Sequence, residues 1–350
     1  MKLYKLSIYL LFLPICLSAK PKIPENVLIL GVCKNIATQL PNSMKIVEDI
    51  GALFDDYSVL VYEDNSTDDT PFLLRKWART NPKVEVICEV LREESFGTTC
   101  VNKTAQNTFY RPEKIARARN IILERALTHD YDAFPYIIWI DLDVEKPFTY
   151  EGIIETFRRD DWDAVFAYGV EESGKYFDWY AHRDATYPFG PEVHGEHFWF
   201  IPKTLHLKKK ADWYPVFSAF NGLGIYRKSS LKDCKYSSIS TPDLEKWVQS
   251  ILNDPNFQSH PQIIRYKELA AQATDPIYIP TPHKDLPYYP YDTPMIISQN
   301  VDSVIWRVSS GIHQYPATCE HSPLHASMIV KGHGRLFINP RIRTHYNNRR

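Results

Sequence analysis

Short apolar runs alternate with amphipathic segments through the first half of the chain. The runs Asn26 to Val32, Tyr57 to Tyr62 and Tyr136 to Ile140 are almost wholly apolar, which is typical of strands buried on both faces. Between the runs, apolar residues recur at three- and four-residue spacing, which predicts helices. The predicted helices are Met44 to Phe54, Pro71 to Arg79, Pro112 to Thr128 and Glu151 to Arg159, and the other predicted strands are Val84 to Val90, Ala164 to Tyr168 and Arg335 to Thr344.

This alternation of strands and helices predicts the fold class. Strands that are joined through helices form parallel sheets with right-handed crossovers, and the helices cover the sheet. We therefore expect a Rossmann-like, three-layer α/β/α fold around a mostly parallel mixed sheet. Ligands of such sheets bind beyond the carboxyl ends of the strands. The polar segment Phe96 to Tyr110 predicts a loop, and the chain beyond Glu171 is rich in Pro, Tyr, His and Trp with weaker periodicity.

The first residues predict a targeting segment. Lys2 and Lys5 precede the apolar stretch Leu6 to Leu17, which is shorter than the roughly 20 residues that a membrane-spanning helix needs. Small residues follow at Ser18 and Ala19. We expect residues 1–19 to be a cleaved signal peptide, with an uncleaved anchor and membrane association as the alternative. Either places the protein in the secretory pathway, in the lumen of the ER or Golgi, or outside the cell.

Composition and charge narrow the kinds of partner. Of the 350 residues, 44% are hydrophobic and 24% are charged, which is ordinary for a globular protein. The 41 Lys and Arg balance the 42 Asp and Glu to a net charge of −1, which removes the electrostatic argument for a nucleic-acid partner. The 22 Tyr, 17 Phe and 8 Trp suit either a large aromatic core or stacking on the apolar faces of sugars.

Two aspartates directly follow the predicted strand Tyr136 to Ile140. Asp141 and Asp143 are separated by one residue, so an extended backbone points both side chains in the same direction. Two converging carboxylates repel each other unless a cation binds them, and hard oxygen ligands select Mg²⁺ or Mn²⁺. The motif therefore predicts a divalent metal site, and a turn that caps the next helix is the alternative.

The predicted helix Pro112 to Thr128 carries a charge on its apolar face. Arg119 lies four residues after Ile115, on the side that faces the core. An inward-facing arginine needs an anionic partner, which would be a bound diphosphate, the two aspartates after the strand, or a core carboxylate. Arg117 is less constrained and more easily solvated.

Polar residues also follow two other predicted strands. Glu63 and Asp64 end the second strand, where a carboxylate can accept hydrogen bonds from a ribose or a base. The residues after them would also suit a cap for the helix at Pro71. His345 ends a strand-like segment and is a candidate third metal ligand, with a structural histidine as the alternative. Glu320 would contact a substrate hydroxyl or lie at a helix N-terminus, where the macrodipole stabilises it.

Taken together, these motifs resemble a known family of enzymes. The order of three pieces is similar to that in GT-A glycosyltransferases: YEDNSTDDT at 62–70, ARARN at 116–120 and IDLDV at 140–144. Three later pieces more closely resemble the fungal capsule-associated α-1,3-mannosyltransferase family: Tyr180 to Asp184, Ser218 to Gly222, and Cys319 to Tyr346. The resemblance covers roughly residues 26–346.

The resemblance implies a GT-A-type fold, a nucleotide-sugar donor, Mn²⁺ or Mg²⁺, and a saccharide, glycoprotein or glycolipid acceptor. It implies one domain over 26–346, with a nucleotide-sugar-binding half at 26–170 and an acceptor-binding half at 171–346. The residues that it places in the site are Asp141 and Asp143 at the metal, Arg117 and Arg119 at the diphosphate, Asp64 at the nucleoside, Glu63 and Asn120 also at the donor, and Arg183, Asp184 and Asn221 at the sugar. The fungal family often lacks the first aspartate of the D-x-D motif, so GDP-mannose is implied by the family alone and a UDP-sugar stays open.

We therefore expect a hexosyltransferase, with mannose as the sugar that the family implies. The metal at Asp143 and the guanidinium of Arg119 would stabilise the leaving diphosphate. A retaining reaction needs no strong base, whereas Glu320 is the candidate base of an inverting one. A nucleotidyltransferase is the second hypothesis, against which the single glycine of Gly31 to Asn35 speaks. An exported, non-catalytic carbohydrate-binding protein is the third.

Overall fold

A computed structural model describes residues 23–88, 103–190, 205–238, 241–271, 278–280, 294–296 and 318–346. The predicted targeting segment, residues 1–19, lies outside these ranges. Within them, no helix has both the length and the apolar character that crossing a membrane requires.

The described residues form ten strands and seven α-helices. The strands are β1 (Ile23–Cys33), β2 (Phe54–Glu63), β3 (Val84–Cys88), β4 (Tyr136–Ile140), β5 (Ala164–Glu171), β6 (Tyr214–Pro215), β7 (Leu223–Arg227), β8 (Tyr278–Pro280), β9 (Pro294–Ile296) and β10 (Leu336–Tyr346). The helices are α1 (Leu40–Gly51), α2 (Thr70–Thr80), α3 (Lys103–Ala126), α4 (Tyr150–Thr156), α5 (Pro242–Asn253), α6 (Pro261–Ala271) and α7 (His321–Val330).

Eight of these strands form one mixed sheet in the order β3-β2-β1-β4-β7-β5-β10-β6. β3, β2, β1 and β4 are parallel to one another, and β10 is parallel to β5. β7 runs antiparallel to both β4 and β5, and β6 is antiparallel to β10. Strands from both predicted halves of the chain therefore share one sheet, because β7 lies between β4 and β5. β8 and β9 form a separate two-stranded ribbon.

Helices cover both faces of the sheet, and the alternation of side chains along β1 shows which helix covers which face. Leu28 shares one buried core with Ile122 of α3 and Leu324 of α7. Its neighbour Ile29 belongs to the opposite core with Val47 of α1. Successive residues of a strand point to opposite faces, so the sheet lies between two helical layers. The predicted α/β fold class is confirmed.

α3 departs most from the predicted pattern. It begins at Lys103 and contains Pro112 in its interior, where the sequence predicted a helix start. Proline removes one backbone hydrogen bond and often kinks a helix, but the helix continues on both sides of it here. The prediction of a loop over Phe96 to Tyr110 is therefore wrong from Lys103 onward, and the part before Lys103 lies outside the described residues.

Parallel strands bring their carboxyl ends to one edge of the sheet. Cys33 at the end of β1 lies opposite Glu63 at the end of β2, and Leu30 of β1 lies opposite Trp139 of β4. β7 begins at this edge because it is antiparallel to β4, with Leu223 opposite Ile140. The segments that follow β1, β2 and β4 and the segment that precedes β7 therefore meet at this carboxyl edge.

Candidate active site

A cavity of about 770 Å³ opens at the carboxyl edge. Its size suits a substantial ligand, since ligand pockets usually measure roughly 300–1,000 Å³. Five predicted site residues line it together: Asp64, Arg119, Asp141, Asp143 and Glu320. The sequence placed these residues in one site, and the structure brings them to one cavity. The other charged lining residues are Lys34, Lys114 and Asp178.

Arg119 joins two carboxylates on the cavity wall. Its Nη2 donates a hydrogen bond to Asp141 Oδ1 at 3.1 Å, and its Nε lies 3.4 Å from Glu320 Oε1. The arginine side chain is 4% exposed, and its guanidinium carbon lies 4.7 Å from the centre of the Phe220 ring. α3 supplies the arginine, β4 leads into Asp141, and Glu320 is the N-cap residue of α7. The predicted inward-facing arginine therefore has anionic partners within the chain.

The carboxylates of the cavity outnumber the cations near them. Burial raises the pKa of Asp141, and the positive charge of Arg119 opposes this shift. The negative charges of three neighbouring carboxylates raise the pKa further, those of Asp143, Glu320 and Asp178. Burial is also the largest cause of the raised pKa values of Glu320 and Asp178. Negative charge in this cavity is therefore costly, and a bound cation would reduce that cost.

The carboxylates of Asp141 and Asp143 fit a divalent cation that takes its remaining ligands from a substrate and from water. Both carboxylates line the same cavity, and Asp143 is exposed to solvent. Across the described ranges, no group of three or more His, Cys, Asp and Glu residues is arranged to hold a metal. Mg²⁺ is typically bound through one or two carboxylates plus phosphate oxygens and water. The two aspartates would supply such a partial set.

The turn before β7 forms another wall of the cavity. Gly222 has a φ of 76°, and its carbonyl accepts a hydrogen bond from the amide of Asp141 at 2.9 Å. An added Cβ on Gly222 would lie 1.9 Å from the hydroxyl of Tyr346, which donates to the Asn221 carbonyl at 3.0 Å. Glycine is therefore required both by the backbone conformation and by the close approach of the tyrosine.

Asp178 is a cavity residue that the sequence analysis missed. It follows β5, and its Oδ2 accepts a hydrogen bond from the amide of Asn221 at 2.7 Å. Asn221 itself is fully buried and does not line the cavity, but it orients Asp178 through this bond. The only sequence signal for Asp178 is a carboxylate in a polar loop after a buried strand. His321 was missed as well, although it follows Glu320 directly.

The loops after β1 and β2 are braced against each other at one end of the cavity. The amide of Asn35 donates to Ser66 Oγ at 2.8 Å, and the amide of Thr67 donates to Asn35 Oδ1 at 2.8 Å. Beside this brace, Lys34 Nζ lies 3.6 Å from Asp64 Oδ2. Burial is the largest cause of the raised pKa of Asp64, and Lys34 acts in the opposite direction. This end of the cavity is a preformed polar pocket.

Two predicted ligand residues near this end serve the protein itself. Glu63 is 3% exposed and accepts a hydrogen bond from the amide of Ser66. Arg117 donates to the Tyr62 hydroxyl at 2.8 Å. Neither of them is a lining residue of the cavity.

Asn120 ties α3 to the segment after β7 and does not line the cavity. Its Nδ2 donates to the Tyr236 carbonyl at 2.9 Å, and its Oδ1 accepts from the Tyr236 amide at 2.8 Å. Because both polar atoms of the amide are occupied by one backbone unit, the expected contact with the donor is corrected to a structural one.

Arg183 and Asp184 also lie outside the cavity lining. Arg183 is 1% exposed and donates to the carbonyls of Tyr180 and His182 at 2.9 and 2.7 Å. Asp184 accepts hydrogen bonds from His182 Nε2 at 2.8 Å and from the Tyr214 hydroxyl at 2.7 Å. Burial acts to raise the pKa of Asp184, but these hydrogen bonds hold it below its usual range. The predicted sugar contacts of both residues are corrected, since their polar atoms hold a buried loop together.

His345 does not complete the predicted metal site. It is exposed on β10 and does not line the cavity, and it joins no cluster of three potential metal ligands in the described chain. Side chains alternate along a strand, so His345 and Tyr346 point to opposite faces. Tyr346, whose ring stacks on Phe177 at 3.5 Å between centroids, is the residue of β10 that reaches the turn before β7.

Comparisons with known proteins give no family. No family model matches the chain, and no curated protein matches it. Many solved structures are similar to it, and three of them illustrate the low sequence identity. The mannosyltransferase PcManGT from Pyrobaculum calidifontis, in complex with GDP-Man and Mn²⁺, is 14% identical, with a TM-score of 0.36 over 74% of this chain and 79% of that one.

The other two structures match over a smaller share of their own length. TarS from S. aureus is 14% identical, with a TM-score of 0.33 over 61% of this chain and 30% of that one. GalNAc-T7 with UDP, GalNAc and Mn²⁺ is 12% identical, with a TM-score of 0.42 over 93% of this chain and 44% of that one. The chain thus spans less than half the length of either protein. Likenesses of this size assign no activity, so the function is argued from the site.

Proposed function

We propose that the protein is a metal-dependent glycosyltransferase that moves a hexosyl unit from a nucleotide sugar to a saccharide or glycoconjugate acceptor. One observation carries the proposal. Asp141 and Asp143 follow β4 directly into a cavity in which the buried Arg119 connects Asp141 to Glu320. Paired carboxylates beside a buried guanidinium suit a metal-bound diphosphate, whose negative charge both the metal and the arginine compensate.

The order of the strands supports a direction for the donor along the cavity. Lys34 and Asp64 follow β1 and β2, where a carboxylate can accept hydrogen bonds from a nucleoside. Asp141 follows the next strand, β4, and would hold the metal and the diphosphate. Asp178 and Glu320 lie on the far side, beside the turn that precedes β7. The sugar, which is bonded to the diphosphate, would extend toward these two carboxylates.

Each of the protein's own groups has a defined part in this reaction. Asp141 and Asp143 would hold Mg²⁺ or Mn²⁺, which would supply positive charge to the leaving nucleoside diphosphate. Arg119 fixes the position of Asp141 and adds a second positive charge at the same place, which is electrostatic preorganisation. Glu320 has a pKa that burial raises, so it accepts a proton from an acceptor hydroxyl more readily than an ordinary carboxylate if the reaction inverts.

The finer parts of the proposal rest on the sequence. Mannose as the transferred sugar follows from the resemblance of the motifs alone, and the donor is GDP-mannose or a UDP-sugar. Residues 1–19 would direct the enzyme to the secretory pathway, where it would act in the lumen or after export. They would attach it to the membrane if they are not cleaved.

Thermal unfolding of the full chain with nucleotide sugars tests the proposal. A ligand that binds only the folded state raises the unfolding midpoint. We expect UDP- or GDP-sugars to raise the midpoint in the presence of Mn²⁺ and to lose most of this effect without it. Asp143→Ala should abolish the metal-dependent rise, because it removes one of two carboxylate ligands. The exposed Asp212, outside the cavity lining, provides the matched control in Asp212→Ala, which should keep the full rise.

Two outcomes would contradict the proposal. The absence of any shift with millimolar nucleotide sugar and Mn²⁺ would exclude a nucleotide-sugar site. A rise with free glycans that needs neither metal nor nucleotide would favour a carbohydrate-binding protein instead.

A further inference from the structure

A buried histidine at the cavity has polar atoms that the protein does not use. His321, the first residue of α7, lines the cavity and is 2% exposed. Among the residues that the structure describes, neither of its ring nitrogens has a hydrogen-bond partner. Nearly all buried polar groups in native proteins are hydrogen-bonded, because an unsatisfied one costs free energy. A buried imidazole on a cavity wall that no described residue satisfies therefore indicates a bound ligand as its partner.

Aromatic packing holds the ring of His321 in place. The ring stacks on Phe220 at 4.1 Å between centroids and 24° between planes. Tyr236 packs edge-on against it at 5.4 Å, and His325 stacks at 5.7 Å. These contacts fix the ring without occupying its nitrogens. The imidazole is thus preorganised for a ligand.

A short chain of contacts connects His321 to the proposed diphosphate site. Its Nε2 lies 3.6 Å from Glu320 Oε1, and the same oxygen lies 3.4 Å from Arg119 Nε. Arg119 in turn donates to Asp141 at 3.1 Å. In a nucleotide sugar, the diphosphate joins the nucleoside on one side to the sugar on the other, and the proposed place of the nucleoside is the end of the cavity at Lys34 and Asp64. A donor whose diphosphate binds at Asp141 and Asp143 therefore brings its sugar to this wall.

The chemistry of the ring matches a hydroxyl group. Burial lowers the pKa of His321 well below its usual value, and Arg119 and His325 add to this effect, so the ring is neutral. A neutral imidazole carries one donor and one acceptor, and a hydroxyl group likewise both donates and accepts. A phosphate offers acceptors only and would be served better by a protonated ring.

We propose that His321 is a specificity-determining residue that hydrogen-bonds a hydroxyl of the transferred sugar, next to Glu320. This proposal rests on the proposed function and names the part of the substrate that this wall recognises. We assign the hydrogen bond of His321 to the donor sugar and not to the acceptor for two reasons. His321 is almost completely buried, and it lies one residue from the carboxylate that pairs with Arg119.

The test compares the affinities of nucleotide sugars with those of the bare nucleoside diphosphates. Dissociation constants are measured by calorimetry with Mn²⁺ for UDP, GDP, UDP-glucose, UDP-galactose and GDP-mannose. His321→Phe keeps an aromatic ring but has no polar atoms. We expect it to bind the diphosphates within about twofold of the wild type and the cognate nucleotide sugar about tenfold more weakly, the effect of one lost hydrogen bond. His321→Gln, which keeps a donor and an acceptor, should recover part of the loss.

A matched control lies one turn later on the same helix. His325 is also buried, but both of its nitrogens are occupied, by Ser218 Oγ at 2.9 Å and the Tyr226 hydroxyl at 3.0 Å, and it does not line the cavity. His325→Phe keeps an aromatic ring to stack on His321, so it should lower stability and leave the ratio of the two affinities unchanged. If His321→Phe does not fold, the ratio is measured in His321→Leu.

The outcomes separate this inference from the function on which it rests. An unchanged ratio in the His321 variants, with normal binding of the diphosphates, would overturn the role of His321 and leave the glycosyltransferase in place. A raised KM for the acceptor alone would move the hydrogen bond to the acceptor and overturn the assignment to the donor. Failure of the wild-type protein to bind any nucleotide would overturn both.

Discussion

At the scale of single residues, Gly222 shows how a backbone position can control the site. Its φ of 76° lies in the left-handed region, and an added Cβ would collide with the hydroxyl of Tyr346. Gly332 has a φ of 91°, but nothing lies within 4 Å of its added Cβ. Both glycines have a positive φ, but an added Cβ would collide with another residue only at Gly222.

We expect Gly222→Ala to destabilise the protein more than Gly332→Ala. The left-handed conformation costs an alanine about 1–2 kcal/mol at either position. At Gly222 the tyrosine ring must also move, and the hydrogen bond from Tyr346 to the Asn221 carbonyl is lost, which adds about 1 kcal/mol. Chemical denaturation of both variants measures the difference.

A double substitution isolates the collision. Tyr346→Phe removes the hydroxyl, so the effects of Gly222→Ala and Tyr346→Phe should sum to more than the loss in the double variant. Strict additivity would show that the hydroxyl does not limit the space at Gly222.

A position directly after a buried strand predicted cavity residues better than residue type alone did. Asp141, Asp143 and Asp64 directly follow buried strands, so the direction of the chain places them at the carboxyl edge. Arg183 and Asp184 have equally suggestive side chains, but hydrogen bonds within their own loop occupy them. A sequence shows which polar atoms are present but not which groups they hydrogen-bond.

At the scale of elements, the link between α3 and the segment after β7 positions the arginine of the site. Asn120 follows Arg119 on α3, and both of its amide atoms bond to the backbone of Tyr236. The Tyr236 ring in turn lies 5.6 Å from the guanidinium carbon of Arg119. The asparagine thus holds together two elements that are far apart in the sequence.

We predict that Asn120→Ala lowers the free energy of unfolding by about 1–3 kcal/mol, because it leaves buried backbone groups of Tyr236 without partners. The exposed Asn256 offers a control, and Asn256→Ala should change stability by at most about 0.5 kcal/mol. Nucleotide affinity should fall less in Asn120→Ala than in Asp143→Ala. Equal stability of the two asparagine variants in urea would contradict the structural role of Asn120.

At the scale of the whole molecule, buried histidines make stability depend on pH. Burial lowers the pKa of His325 from 6.5 to about 3. Below pH 6.5 the unfolded chain therefore takes up a proton that the folded protein does not, and stability falls as the pH drops toward 3. His321, which stacks on it, acts in the same direction. The full slope for one such proton is about 1.4 kcal/mol per pH unit.

Replacing His325 should flatten this dependence. We expect His325→Gln to have a smaller loss of stability than the wild type between pH 6.5 and 5, whatever its stability at neutral pH.

An exposed histidine serves as the control with the opposite sign. The hydrogen bond from His129 to Asp132 raises the pKa of His129, so His129 stabilises the folded protein as the pH falls. His129→Gln should therefore make the loss of stability toward low pH slightly steeper. Unfolding midpoints across this pH range provide the measurement, and an unchanged slope in His325→Gln would show that the histidine is charged in the folded protein.

The sequence by itself determined the framework of this protein. Apolar runs such as Tyr136 to Ile140 specify buried strands, because successive side chains point to opposite faces of the sheet and each must be covered on its own face. Their alternation with amphipathic helices then leads to a parallel sheet, and chain direction places the residues after β2 and β4 at its carboxyl edge. The fold class and the place of the aspartates that follow β2 and β4 come from these local patterns.

Only the tertiary structure decided which other side chains meet there. Asp178, His321 and Tyr346 reach the site through contacts between segments that are distant in the sequence, and no local pattern encodes those contacts. The prediction of His345 as a metal ligand failed for a related reason. Whether a strand residue faces the site depends on which elements pack against each side of the strand. Hydrophobic burial is non-directional and sets the framework, whereas hydrogen bonds require particular partners at particular distances, and the fold alone supplies them.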